Sequence, residues 1–390
     1  MSATRGTAWP FHPWLVLGAI PLLGLCYVAL DSSAFWEGTM SRGQVIGRDF
    51  VIFWGAAVLL WRGDALTLFD SSVFLPTLDQ IIGQKLAFNP YPYPPSSIFV
   101  VWPVGLFPYW FALPLWLLST FAFLANRLRR SRVGWPAIIA LLVSPASIVN
   151  ICSGQNGFLS AALLCGGLLL LERRPLLAGI LIGLLSFKPQ LGLLLPLLLI
   201  AGGYWRSFTA ASMTVLLLVV ASLPVVGQEG WSLYVDKSMP QQMDFLQHGS
   251  GYFQHMSPTY FMTVRLLGGS LATAWSAQAL GAIFVAAASL WVFRQKVAFD
   301  LKIAIALSAT ALFSPYLLTY DLMIVPVAIL LAARCTTWHW AEKGVFLLAW
   351  IGPLLAILPV PPLGAVFLSL LFLVILRRTV LAARQGPLRT

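Results

Sequence analysis

Long apolar stretches recur along the whole chain and alternate with short segments that hold most of its charges. Many of these stretches approach the roughly 20 residues that an α-helix needs to cross a hydrocarbon core. The pattern predicts an all-α polytopic membrane protein with about twelve transmembrane helices. The predicted spans are 14–30, 109–126, 133–152, 156–171, 175–187, 189–203, 207–226, 270–293, 300–315, 320–333, 343–358 and 361–376. Several are shorter than a full crossing, as tilted, broken or interior helices would be.

Basic residues mark one side of the predicted topology. With the N-terminus in the cytoplasm, the inner segments and their flanks hold 17 basic and 3 acidic residues, a net charge of +14. The outer segments hold 7 basic and 10 acidic residues, a net charge of −3. The positive-inside rule predicts this asymmetry. We therefore expect a multi-pass protein of the inner (plasma) membrane with both termini in the cytoplasm. The overall charge of +11 then reports topology and gives no reason to expect a nucleic-acid partner.

Composition excludes a soluble domain. Hydrophobic residues make up 59% of the chain and charged residues only 9%, whereas soluble domains are about one quarter charged. Stretch 14–30 lacks a cleavage site of small residues, so we expect a retained helix and not a signal peptide. The four cysteines have no metal-ligand spacing, and we expect no metal and no cofactor. The chain is predicted to form one integral membrane domain over residues 1–390.

The predicted topology has two long outer segments, 31–108 and 227–269, and we expect the functional site in them. In the first, residues 96–107 ("SSIFVVWPVGLF") are apolar enough to span, but a span there would place the arginines of 127–132 outside. We interpret them as an interfacial or re-entrant piece between prolines, which is tolerable where protein or a water-filled cavity covers the backbone. No Walker or dinucleotide-binding glycine pattern occurs in the sequence.

Five segments resemble, in order, those of glycosyltransferase family 87, the mannosyltransferase-like enzymes of the GT-C class. They are "GRDFVIFWGAAVLLWRGDALTLFD" (47–70), "YPYPPSSIFVVWPVGLFP" (91–108), "SGQNGFL" (153–159), "LLAGILIGLLSFKPQLGLLLP" (176–196) and "SPYLLTYDLMIVP" (314–326). Phe69 stands where the family usually has Tyr. Thr319, Tyr320 and Asp321 stand where many members carry histidines, so no histidine role can be transferred to that place.

The resemblance implies a GT-C-type fold and an inverting transferase with its active site on the outer, extracytoplasmic face. The implied donor is a polyprenyl-phosphate sugar, most often mannose-like, and the acceptor is a glycolipid or glycan at the bilayer surface. One carboxylate in the first outer loop of such enzymes serves as general base, and Asp49 matches it. The chemistry agrees, because transfer needs a base at the acceptor hydroxyl and positive charge at the departing phosphate.

Each candidate residue also has a structural interpretation. Asp49 is suited to cap the helix that begins at Phe50. Arg48 would bind either donor phosphate or lipid head groups. Lys188, which sits between two apolar helices at a predicted outer helix end, would contact the donor phosphate or extend toward the interface. Asp321 would be a helix cap, a partner of Lys188 or a sugar ligand.

The other candidates lie in loops and turns. Gln155 and Asn156 would stabilise a tight outer turn or contact substrate, and Tyr93 belongs to the second resembling segment. His255 and His248 are either ordinary loop residues or acceptor contacts. Asp64 and Asp70 are expected to be turn and cap residues.

Two other functional classes fit parts of the sequence. A transporter or flippase would also place Lys188 and Asp321 in the membrane, but it usually shows repeated halves, and none is detectable here. A lipid-binding or assembly subunit without catalysis would fit the composition but would not need Asp49. We therefore expect an enzyme. We also expect an amphipathic helix over 50–61 that lies along the membrane interface and contacts lipid or the helical bundle through Phe53 and Leu60.

Overall fold

A computed structural model describes residues 39–40, 44–86, 90–249, 252–355 and 362–384. In these ranges the chain is almost entirely helical. The α-helices are α1 (Phe50–Arg62), α2 (Ser71–Ile82), α3 (Ile98–Val101), α4 (Tyr109–Arg130), α5 (Trp135–Leu142), α6 (Pro145–Ser153), α7 (Gly157–Leu170), α8 (Pro175–Leu184), α9 (Leu195–Ala201), α10 (Trp205–Leu233), α11 (Met239–His248), α12 (Tyr252–His255), α13 (Tyr260–Leu266), α14 (Leu271–Arg294), α15 (Phe299–Phe313), α16 (Ile324–Ala333), α17 (Trp340–Leu355) and α18 (Gly364–Arg384).

Short irregular pieces connect the helices. Two-residue strands, β1 (Thr39–Met40) and β2 (Gln44–Val45), pair antiparallel before α1. A π-helical turn, Tyr234–Ser238, joins α10 to α11. The 3₁₀ turns are Ala65–Phe69, Pro95–Ser97, Trp102–Leu106, Leu185–Phe187, Pro189–Leu191 and Thr319–Met323.

Within the described ranges, four helical segments are long and apolar enough to cross a membrane: Tyr109–Arg130, Trp205–His248, Leu271–Arg294 and Gly364–Arg384. The bent pair α5 and α6 would make a fifth span, with 51° between its two parts. Each expected span between 109 and 376 overlaps helix within the described ranges, but most of these helices are too short to count by this measure. The chain is a multi-pass helical membrane protein, and the number of twelve spans is not confirmed. Span 14–30 lies outside the described residues.

Three helices form the interior of the bundle. Nearly every residue of α7, α15 and α16 is buried, as expected for helices that are apolar on all sides. α4 and α8 pack against α7, while α14, α16 and α18 pack against α15. Because α15 also contacts α7, the two groups of helices share one core.

Small residues let α8 and α10 approach each other closely. A Cβ atom on Gly179 would lie 2.4 Å from the Ser207 carbonyl oxygen, and one on Gly183 would lie 2.7 Å from that of Ala211. Such contacts are typical of helix pairs in membranes, where packing replaces the hydrophobic effect as the force that holds helices together.

The two predicted outer segments are mainly helical where the structure describes them, apart from β1 and β2, and they contact each other. Asp70 caps α2 by accepting a hydrogen bond from the Ser72 N–H, and it forms an ion pair with Lys237. The Ser238 hydroxyl donates to the Phe69 carbonyl at 3.0 Å. The capping role expected for Asp70 is confirmed, whereas the Asp64 side chain forms no cap hydrogen bond.

Helix α1 is enclosed by protein, and of the two contacts expected for Phe53 and Leu60, with lipid or with the bundle, the structure shows contact with the bundle. Nine of its 13 residues are buried, including Phe53 and Leu60. The 3₁₀ turn Trp102–Leu106 packs against it, and Gly105 allows this because a Cβ atom there would lie 2.9 Å from Ala57. Residues 95–106 thus form a short apolar helical piece that covers α1.

Candidate functional site

A tight turn places Asp49 at the start of α1. Gly47 and Arg48 both have positive φ, 84° and 36°, and the Arg48 N–H donates to the Val45 carbonyl at 2.8 Å. A positive φ is uncommon for a residue that carries a side chain. Asp49 occupies the N-cap position, but its side chain accepts no cap hydrogen bond. The carboxylate is therefore directed elsewhere, and the interpretation of Asp49 as a simple helix cap is wrong.

The turn after α6 lies directly against this first turn. The Asp49 N–H donates to the Ser153 carbonyl at 3.1 Å. Gly154 follows with φ 59°, and a Cβ atom there would lie 2.4 Å from the Gly47 carbonyl oxygen. Glycine at 154 is required both by its left-handed backbone and by this close approach. Contact between the two turns brings Gln155 beside Asp49.

Hydrogen bonds lead from Asp49 into the protein. The Gln155 Nε2 donates to Asp49 Oδ2 at 2.8 Å. The Tyr93 hydroxyl donates to Gln155 Oε1 at 3.4 Å, and Asn156 Nδ2 donates to the Tyr93 oxygen at 3.0 Å. Gln155, Asn156 and Tyr93 are all buried, and buried polar groups of this kind are normally hydrogen-bonded.

Lys188 and Asp321 complete the cluster. Lys188 lies between two 3₁₀ turns, where Leu185–Phe187 ends and Pro189–Leu191 begins. Its ammonium donates to Asn156 Oδ1 at 2.7 Å and forms an ion pair with Asp321. Both side chains belong to residues that are only 2% exposed. Lys188 does not extend toward an interface. Of the roles expected for Asp321 the structure shows two, that of partner of Lys188 and that of a cap residue, because Asp321 Oδ2 accepts a hydrogen bond from the Leu318 N–H at 3.4 Å.

Aromatic residues surround this polar cluster. Two of them that contact it, Trp116 and Tyr320, were not among the residues predicted for the site from the sequence. The Trp116 Nε1 donates to the Gln155 carbonyl at 3.3 Å. The Lys188 Nζ lies 4.9 Å from the centre of the Tyr320 ring, a cation–π distance. Trp116 gave no signal in the sequence because it lies within a span that is apolar throughout. Tyr320 was noted only as a departure from the family pattern.

Arg48 and His255 were also expected to belong to the site. Arg48 belongs to the turn that carries Asp49 and is partly exposed. His255 ends α12, and the neighbouring Met256 carbonyl accepts from the Thr319 N–H at 2.9 Å. No described hydrogen bond or ion pair joins the His255 side chain to the cluster. His248 instead contacts Asp244 at 2.9 Å.

An apolar cavity of about 400 Å³ lies next to the cluster. Its walls come from the 95–106 piece, α4, α7 and the end of α8, and they include Trp116, Phe107 and Leu184. Because Trp116 also bonds to Gln155, the apolar cavity and the polar cluster share a wall. In the part of the chain that the structure describes, no group of three or more His, Cys, Asp or Glu residues is placed to hold a metal ion.

Comparison with known proteins shows the family to which the chain belongs. A family model described as Glycosyltransferase family 87 matches residues 91–315. Searches of the curated proteins and of the solved structures found no match. The matched region contains Tyr93, Gln155, Asn156 and Lys188, while Asp49 and Asp321 lie on either side of it. Since the match covers more than half of the 390 residues, this multi-pass membrane protein belongs to glycosyltransferase family 87.

Proposed function

We propose that the chain transfers a sugar from a polyprenyl-phosphate donor to a glycolipid or glycan acceptor at the outer face of the membrane, with inversion and with Asp49 as general base. The observation that carries the proposal is one continuous network, in which hydrogen bonds join the Asp49 carboxylate to the Lys188 ammonium through Gln155, Tyr93 and Asn156. A base and a cation in one site are what this transfer requires.

The reaction is a single displacement. The acceptor hydroxyl oxygen forms a bond to the anomeric carbon of the donor sugar, and its proton passes to Asp49. The bond between that carbon and the phosphate oxygen breaks, and its electron pair leaves with the polyprenyl phosphate. One base is sufficient, because inversion involves no covalent sugar–enzyme intermediate.

Lys188 would stabilise the departing phosphate. An ammonium group has three N–H donors, of which Asn156 and Asp321 take two. Since Asp321 already balances the charge of Lys188, a dianionic leaving group also needs a second cation. Arg48, adjacent to Asp49 in the same turn, is our candidate for it. Tyr93, Gln155 and Asp321 then orient Asp49 and Lys188, and His255 remains a proposed acceptor contact.

The apolar cavity beside Trp116 supports a lipid-linked donor. Its lining is almost entirely aliphatic and aromatic, so it would favour a hydrocarbon chain over a nucleotide. A prenyl chain lying there would present its phosphate toward Gln155 and Lys188, because Trp116 belongs to both sites. We propose a mannose-like hexose, or a pentose, as the sugar, on the family resemblance alone.

The test is an in-vitro transfer assay with purified full-length protein and a panel of polyprenyl-phosphate sugars. Mass spectrometry of the lipid and glycan products would identify the transferred sugar. Wild-type protein should give product with at least one donor, and Asp49→Asn should give almost none. If the protein moves a lipid-linked sugar across vesicle membranes without forming product, the transporter interpretation replaces this one.

A further inference from the structure

Four arginines surround a second cavity, of about 290 Å³, far from Asp49. Arg127 and Arg130 come from the end of α4, and Arg173 and Arg174 precede α8. The end of α7, including Gly166, forms the remaining wall. Because α7 begins beside Asn156 and rises about 1.5 Å per residue over its 14 residues, the arginines lie roughly 21 Å from the candidate active site.

The positive charge of this cavity is only partly balanced within the described chain, because Asp300 lies close enough to attract Arg173 but forms its ion pair with Arg334. None of the four arginines forms an ion pair with a carboxylate in the ranges that the structure describes. The Arg127 Nε is buried and has no hydrogen-bond partner there. Arg130 and Arg174 are close enough to Arg127 to repel it. A buried donor among like charges is unfavourable unless an anion binds.

An apolar cleft continues from the arginine cavity. Arg174 and Leu177 line both, and Pro175, Leu176 and Arg206 complete the cleft. The cleft is open to the outside of the helical bundle, and Leu176 is largely exposed. A cationic cavity that opens into an apolar cleft matches an amphiphile with an anionic head and a hydrocarbon tail. A soluble anion would use only the first of the two.

We propose that this arginine cavity binds the phosphate of an anionic membrane phospholipid, with an acyl chain lying in the cleft beside Leu176. Guanidinium groups suit phosphate because they offer paired N–H donors in a fixed plane. Basic pockets between transmembrane helices are a known way to hold anionic lipid head groups. The site is separate from the donor-lipid cavity at Trp116 and does not depend on the proposed reaction.

The test is native mass spectrometry of the full-length protein in detergent with added phosphatidylglycerol or phosphatidylcholine. Wild type should retain phosphatidylglycerol in preference to phosphatidylcholine. Arg173→Gln/Arg174→Gln, which changes two exposed side chains, should weaken phosphatidylglycerol binding roughly thirtyfold, from about one kcal/mol per arginine. Arg173→Lys/Arg174→Lys should recover part of the binding.

The matched control is Arg294→Gln/Lys296→Gln, which removes two exposed positive charges at the end of α14. It should bind phosphatidylglycerol as wild type does. Equal loss in the control, or no loss in the Arg173/Arg174 variant, would show general electrostatic attraction and overturn the proposal. A third arm uses sodium phosphate without lipid. If it stabilises wild type against heat as phosphatidylglycerol does, and no lipid is retained, a soluble anion is the ligand and the lipid assignment is wrong.

Discussion

Gln155 donates a hydrogen bond of 2.8 Å to the carboxylate of Asp49, although 106 residues separate the two in sequence. The bond fixes the direction of a side chain that would otherwise be free to cap α1. It also connects Asp49 to Lys188, so the groups proposed as base and cation belong to one hydrogen-bonded network.

Asp49→Asn should abolish most transfer and leave the fold intact. The asparagine keeps the shape of the side chain but cannot accept the proton, and loss of a general base typically costs about 10²–10⁴ in rate. Because Asp49 makes no side-chain cap, the melting temperature should stay close to that of wild type. Asp64→Asn is the control, since Asp64 also holds an N-cap position without a cap hydrogen bond. Near-normal transfer by folded Asp49→Asn would remove Asp49 from the mechanism.

Gln155→Ala should lower turnover by roughly 10- to 100-fold, because small displacements of a catalytic group carry costs of that order. Turnover per folded molecule is the quantity to measure, after size-exclusion chromatography. Gln278→Ala is a suitable control. Gln278 is another buried glutamine, bonded to the Leu312 and Phe313 carbonyls, and its loss should reduce stability without changing turnover. Equal turnover in the two variants would argue against positioning by Gln155.

Lys188 requires a double-mutant test, since it pairs with Asp321. Lys188→Ala alone leaves a buried carboxylate unpaired, which costs about 3–5 kcal/mol of stability. Lys188→Met/Asp321→Leu removes both charges and should fold. If Lys188 binds donor phosphate, the folded double variant should show a donor KM raised about 10- to 100-fold, as expected for a lost charged hydrogen bond.

Charge retention gives the complementary test at the same position. Lys188→Arg should keep partial activity, because the positive charge remains although the geometry changes. A double variant with an unchanged donor KM would leave Lys188 with only a structural role.

The ion pair between Asp70 and Lys237 should make stability sensitive to acid. The hydrogen bond from Lys237 is the main cause that holds the pKa of Asp70 below its ordinary value of 3.8. A carboxyl group with a lowered folded-state pKa stabilises the protein above its unfolded pKa, and this stability is lost as the pH falls through the folded pKa. Melting temperature measured from pH 7 to pH 3 should therefore fall less in Asp70→Asn than in wild type. Asp236→Asn, on the exposed neighbour of Lys237, should behave as wild type does.

Cysteine labelling checks the predicted topology. In a cysteine-free background, a cysteine at position 130 should react only from the cytoplasmic side, and one at position 240 should react from outside. Both Arg130 and Pro240 are exposed, so reagent access within the folded protein is not limiting. Labelling of residue 130 from outside, or of residue 240 only from inside, would reverse the assigned orientation and with it the outward-facing site.

The pattern of apolar stretches predicted where the helices lie in the sequence better than it predicted which parts of the protein each helix contacts. Residues 109–126, 270–293 and 361–376 were expected to be spans, and each range overlaps a helix long enough to cross. Helix α1 was expected to contact either lipid or the bundle, and the choice stayed open because a single sequence does not show that residues 95–106 fold over it. Lys188 and Asp321 were noted separately, and their pairing was one of several options. Charges in apolar surroundings stand out in a sequence, whereas Trp116 is one of 16 tryptophans and does not.

Two turns, each built around a glycine, set the distance between Asp49, the proposed base, and Gln155, the glutamine that orients it. The turn at Gly47 and the turn at Gly154 touch so closely that one added methyl group at 154 would meet the Gly47 carbonyl oxygen at 2.4 Å and the Phe50 Cβ at 2.6 Å. Substitution of Gly154 should therefore separate the two turns and inactivate the protein, although it removes no polar side chain of the site. A survey of loss-of-function variants should find substitutions at Gly154, although this residue carries no side chain that could take part in the reaction.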